Sequence, residues 1–238
     1  MRRLLAVSLL LAIGPTAPAG HPARAQGAGV FWLIFVDDLH LDFINTSHIR
    51  KLLASIATDL IRDGDAFAVR TTGPALQIES TTNRALFELI IPKFSGMGMK
   101  MGELQPLPRF DPMEEVGYRA SVAGTAATEM LKTVSLLARR RTVMLYVSNG
   151  YYVDRPEASI AAFPRAAQQA GVTVFAMNPR GLPDAAAIDT GPDVALFARY
   201  QAGMLESLRA IAEPTGGFAA LSAADFTDAL ERIARVVR

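Results

Sequence analysis

The stretch Val30-Phe-Trp-Leu-Ile-Phe-Val36, followed at once by Asp37-Asp38, constrains this chain more than any other feature. Seven consecutive apolar residues rich in aromatic and β-branched types read as a strand buried on both faces, the kind found inside a mostly parallel sheet. Its abrupt end in two carboxylates delivers acid groups to the sheet edge where open α/β sheets bind ligands. A second run, Thr142-Val-Met-Leu-Tyr-Val147, ends in Ser148-Asn149-Gly150 and repeats that layout.

Between and after these runs, helical and extended patterns alternate. Ile49, Leu52, Leu53, Ile56 and Leu60 recur at i, i+3, i+4, i+7 spacing and predict a helix from Thr46 or Ser47 to about Ile61. Short strands are expected over 66–71 and 76–79, and a short helix over 83–91. Glycines and prolines over 95–117 predict a long loop excursion. Helices follow at about 125–138, 156–169, 193–212 and 224–237, with strands at 172–177 and near 218–219 and a second loop over 181–192. Strands alternating with helices predict a three-layer, Rossmann-like α/β sandwich with a mostly parallel central sheet.

Arg2-Arg3, the apolar run Leu4 to Ile13 and the small-residue pattern Ala23-Arg24-Ala25 read as a secretory signal peptide over 1–25. The run is too short to span a bilayer, so no membrane span is expected. About 210 residues then remain, enough for one domain over 27–238 with a sizeable core. A net charge of +1 gives no clustered basic face for nucleic acid, and the absence of cysteine excludes disulfides, thiolate metal sites and thiol catalysis. Periplasm and extracellular space are both compatible with export, and the oligomeric state is not legible.

The segments Phe35-Val-Asp-Asp-Leu-His-Leu41, Gly124-Thr125, Val147-Ser-Asn-Gly150, Gly171-Val-Thr-Val-Phe-Ala176 with Asn178-Pro-Arg-Gly181, and Ala212-Glu-Pro-Thr-Gly-Gly217 carry a resemblance across the whole region after residue 26. In order and spacing they resemble a von Willebrand factor A (VWA) domain of the exported bacterial type. The resemblance implies an adhesion-type module that binds a protein or peptide at the C-terminal sheet edge. It also implies a metal site built from an Asp-x-Ser-x-Ser loop, a second-loop Thr and a third-loop Asp around Mg²⁺. Asp37 and Thr125 match two of these positions, Leu39 and Leu41 stand in place of the serines, and Asn149 replaces the last Asp. Leucine offers no oxygen to a hard cation that wants octahedral oxygen ligands, so the site is degenerate and no standard cofactor is expected. In place of the metal, Asp37 is expected to accept hydrogen bonds from loop amides or from Thr125.

Asp38, His40, Tyr151, Tyr152 and Met99 complete the candidate partner-contact surface. The tyrosine pair is expected to be exposed beside the second edge loop, and Met97, Met99, Met101 and Met113 to offer adaptable contacts. The methionines also form a soft-ligand cluster of the type that takes copper. A metal-dependent enzyme or enzyme accessory using Asp37, Asp38 and His40 as acid-base or metal-ligand groups is the alternative function, with the mutual convergence of those three side chains as its requirement. A serine hydrolase at Ser148 is disfavoured, because Tyr146 stands where the elbow glycine belongs and no histidine follows Ser148 in the chain.

Overall fold

A computed structural model describes residues 29–73, 76–99, 103, 112–137, 140–152, 160–180, 194–222 and 226–238. Residues 1–25 and the loop 181–192, with their sequence-based expectations, lie outside the described residues.

Among these, six strands form one sheet: β1 (Phe31–Val36), β2 (Ala66–Thr71), β3 (Gln77–Thr81), β4 (Thr142–Val147), β5 (Thr173–Met177) and β6 (Ala219–Ala220), in the order β3-β2-β1-β4-β5-β6. Only β3, at one edge, runs antiparallel. Every residue of β1 and β4 is buried, as expected for strands covered on both faces.

Side-chain alternation along the strands splits the core in two. Trp32, Ile34, Val36, Phe67, Val69, Leu145 and Met177 face helix α1 (Thr46–Ser55) with its π-helical continuation Ile56–Leu60, α2 (Arg84–Ile90) and α6 (Phe226–Val237). Phe31, Leu33, Phe35, Met144, Tyr146 and Val174 face α3 (Pro112–Leu131), α4 (Ala162–Gln169) and α5 (Val194–Ala212). The expected three-layer α/β sandwich is the observed fold.

One boundary differs in a way that matters for the site. The predicted loop over 95–117 gives way to helix at Pro112, so α3 starts well before the predicted 125. Proline is tolerated in the first helical turn, and Glu114 and Glu115 complement the helix dipole there. Thr125 therefore lies in mid-helix, not in a loop.

At the opposite end of the sheet, buried Asp65 accepts hydrogen bonds from Val30 N at 2.8 Å, Trp32 Nε1 at 3.0 Å, Arg62 N at 3.0 Å and Arg238 Nη2 at 2.9 Å. Burial raises its carboxyl pKa, but these bonds outweigh burial and hold it below its ordinary value. Arg238 is thereby tied to the start of β1.

Candidate functional site

Strand order reverses its direction of growth at β1, so the crevice between the C-terminal ends of β1 and β4 is the switch point at which α/β sheets place ligands. Asp37 sits there, fully buried. Its backbone N–H donates to Val147 O at 2.8 Å, which seats the residue directly against β4. Its carboxylate accepts from Thr72 Oγ1 at 2.9 Å and Ser148 Oγ at 2.9 Å, while His40 Nδ1 lies 3.0 Å from Oδ1 and 2.9 Å from Oδ2. A carboxylate only accepts, so His40 Nδ1 carries the shared proton.

Burial pushes the Asp37 carboxyl up, but the adjacent His40 ring and hydrogen bonds from His40, Tyr151 and Ser148 outweigh it and hold the carboxyl below its ordinary value. Asp38 moves the other way. Burial and the neighbouring charge of Asp37 raise it, against the pull of hydrogen bonds from Thr72 and Gly73. The two carboxylates do not share a group symmetrically: Asp38 Oδ1 takes the Thr72 backbone N–H at 3.1 Å, whereas Asp37 takes the Thr72 hydroxyl. Of the three residues required by the enzyme alternative, Asp37 and His40 converge, and Asp38 is instead engaged with Thr72.

The tyrosine expectation needs correction at Tyr151, which is buried at 1% exposure rather than displayed. Its ring stands edge-on to His40, with centroids 4.5 Å apart, and its hydroxyl is hydrogen-bonded to that of Tyr146. Its N–H donates to Ser207 Oγ at 2.7 Å. Burial and the charge of Asp37 push both phenols well above their ordinary pKa. Tyr152 is half-buried and packs over Gly203, where a Cβ would lie 2.8 Å from the ring.

The remaining expected residues disperse. Thr125 is exposed on α3, and the partners of Asp37 are Thr72 and Ser148 in its stead. Asn149 is fully buried, and neither its Oδ1 nor its Nδ2 has a hydrogen-bond partner among the described residues; His40 Nε2 shares that condition. Met99 is half-buried and Met97 is 52% exposed, while Met101 lies outside the described residues.

Sequence reasoning did not single out Thr72, Ser148 as a partner of Asp37, Asp42 or Arg180. Strand register reveals the first, because Val36 pairs with Thr71 and Val147, so the next residues along each strand, Asp37, Thr72 and Ser148, come level. Arg180 Nε donates to Asp42 Oδ2 at 2.9 Å and ties the loop after β5 to the loop after β1. Segment 94–98 straps the same loop from outside: Met97 N donates to Asp38 O at 2.7 Å, Gly98 N to Leu41 O at 2.8 Å, and Arg119 Nη1 to Met97 O at 3.0 Å. Gly96 is needed there, since a Cβ would lie 2.2 Å from Leu41 O. Beyond the strap, the short turn Phe43–Asn45 leaves Phe43 67% and Ile44 81% exposed.

No family model matches the chain, and no curated protein matches it. Among solved structures it is similar to an aerotolerance-related membrane protein from Bacteroides fragilis NCTC 9343 carrying multiple mutations to serines. That likeness has a TM-score of 0.50 and 13% identity, over 89% of this chain and 98% of that one. The likeness is one of fold, the α/β sandwich around a mostly parallel sheet. A von Willebrand factor type A protein from Catenulispora acidiphila also aligns, at TM-score 0.47 and 15% identity over 88% of this chain and 43% of that one. The human COPII-coat protein Sec24c aligns at 0.42 and 11%, over 88% and 32% respectively.

The described residues at the edge do not fit the Mg²⁺ that the sequence resemblance implies. Leu41 is buried and apolar, Leu39 contributes only its carbonyl to Arg119, and both oxygens of Asp37 already accept from protein donors. A hard cation demanding octahedral oxygen ligands finds no such set among the described residues. Among the described residues, no group of three or more His, Cys, Asp or Glu is placed to hold a metal, and no helix is long and apolar enough to cross a membrane.

Proposed function

We propose that this chain is an exported, non-enzymatic binding module that recognises a protein or peptide through the C-terminal edge of its sheet without a bound Mg²⁺. The carrying observation is the exposure of Phe43 and Ile44 on the turn that leaves the Asp37 loop. Contiguous apolar side chains displayed at a site rimmed by polar groups are the mark of an interaction surface. The rim here is the Asp42–Arg180 pair, and the partly exposed Met97 extends the patch. Asp37, His40, Thr72 and Ser148 lie behind it as the internal frame that fixes the loop's shape.

The enzyme alternative has less support. Of the three side chains it requires, Asp37 and His40 are paired, but Asp38 Oδ1 instead accepts the Thr72 backbone N–H at 3.1 Å. Export rests on the charged, apolar and small-residue pattern of residues 1–25.

A photo-crosslinking residue placed at Ile44 of the full chain in its native host tests the reading. It should trap one discrete protein partner, in the periplasm or outside the cell, whereas the same group at Arg235 on α6 should not. Equal labelling from both positions, or none from position 44, would argue against this edge as the binding surface.

A further inference from the structure

Away from the sheet edge, α1 and α6 pack side by side and leave an open cleft of about 460 Å³ between them. Small-molecule sites occupy roughly 300–1,000 Å³. One face of each helix builds the cleft: positions 48, 51, 52, 55 and 59 follow one another at three- and four-residue steps along α1 and its continuation, and positions 227, 230, 231 and 234 along α6. Buried Leu52 and Leu230 form its floor, with Phe226 and Ala234 half-buried beside them. Part of one wall is the π-helical segment Ile56–Leu60, a backbone form that is rare and frequent at functional sites. The walls are preformed, because Arg238 Nη2 donates to Leu60 O at 2.9 Å and ties the end of α6 to the end of that segment.

Charge around the cleft is balanced in number but not in availability. The acids are engaged: Asp59 Oδ1 accepts from Thr58 Oγ1 at 2.8 Å, and Glu231 Oε2 lies 3.5 Å from Arg235 Nη1. The cations are not: the side chains of Lys51 and Arg62 are exposed and have no partner among the described residues. His48, one helical turn before Lys51, adds a donor. Its Nδ1 is buried without a partner, and a proton there would be a buried donor with no acceptor. The neutral ring therefore carries its proton on Nε2, the nitrogen left for the cleft.

We infer that this cleft is a second ligand site and takes a small carboxylate with an apolar body. The carboxylate meets His48 Nε2 and the Lys51 ammonium, which sit together at one end, and the body lies over Leu52, Phe226 and Leu230. An organic cation would find only acids that are already engaged. A neutral apolar molecule would fill the floor but leave the Lys51 charge unanswered.

An NMR titration of the ¹⁵N-labelled full chain with octanoate tests this. Octanoate should shift the amides of His48–Ser55 and Phe226–Ala234 saturably. Octylammonium, 1-octanol and acetate should each bind at least about fivefold more weakly, and Lys51→Glu should weaken octanoate by about the same factor. Ala234→Phe, which fills the floor, should abolish the response; Lys51→Glu, at an exposed position, keeps the test decisive if that variant fails to fold. An absent or unsaturable response to octanoate would overturn the inference. So would equal affinity for octylammonium or 1-octanol, undiminished binding by Lys51→Glu, or shifts centred on Phe43 and Ile44 instead. None of these readouts depends on the sheet edge, so crosslinking at position 44 succeeds or fails separately.

Discussion

Ser148 Oγ donates to Asp37 Oδ2 at 2.9 Å, joining residues 111 positions apart across the boundary between β4 and β1. That bond, with those from Thr72 and His40, makes Asp37 the common acceptor of three loops. Removing the carboxylate strands three buried polar groups at once, and orphaned groups cost more than the lost bonds themselves. Asp37→Ala should destabilise the domain by about 2–4 kcal/mol. Equilibrium urea unfolding checks this, read as a lower midpoint at unchanged slope.

Asp37 and Asp38 have opposite pH signatures. Asp37 is held below its unfolded-state pKa, so its stabilising contribution is present above the ordinary carboxylate range and is lost as pH falls through its folded value. Asp38 is raised, so its ionised form in the folded state works against stability once pH exceeds the ordinary carboxylate range. Asp38→Asn should therefore raise Tm at pH 7, and the gain should disappear near pH 3, where Asp38 is protonated in both states. Thermal melts of both proteins across that range read the difference directly.

Gly150 stands at a left-handed φ with Met204 O where a Cβ would go. Gly150→Ala meets a backbone conformation that L side chains rarely adopt and a clash with a backbone carbonyl of α5. A loss of about 2–4 kcal/mol is expected. It should be accompanied by weaker protection of the Tyr151 amide in hydrogen exchange, because that N–H depends on Ser207 across the same contact.

The central strands were legible because seven apolar residues in a row admit few folded environments, and the alternation of patterns then fixed a parallel sandwich. The edge was legible as a place, and Asp37 as its centre, because an acid at the end of a buried strand has nowhere else to go. Its partners were harder to read. Thr72 follows no motif and is found only from strand register. The start of α3, and Thr125 with it, was misplaced because Pro106, Pro108 and Pro112 with the glycines before them read as a loop, whereas Gly117 and Gly124 lie inside the helix. A glycine inside a helix costs only about 1 kcal/mol, and Ala120, Ala123 and Ala127 bury enough of α3 against the sheet to offset it. Tyr151 was read as exposed because a polar ring beyond an edge loop has two possible fates, and the choice lies in a hydrogen bond to Tyr146 that no local pattern encodes. Phe43 and Ile44 went unremarked, since apolar residues just before a helix often fold back on it as a staple.

Calorimetric titration of the full chain with Mg²⁺ and Mn²⁺, run beside thermal melts with each ion and with EDTA, tests the central claim most directly. If His40, Thr72 and Ser148 have taken over the carboxylate that a metal would need, neither ion binds saturably and Tm is the same in all conditions. Saturable binding that raises Tm and vanishes in Asp37→Ala would contradict the account and restore a metal-dependent edge.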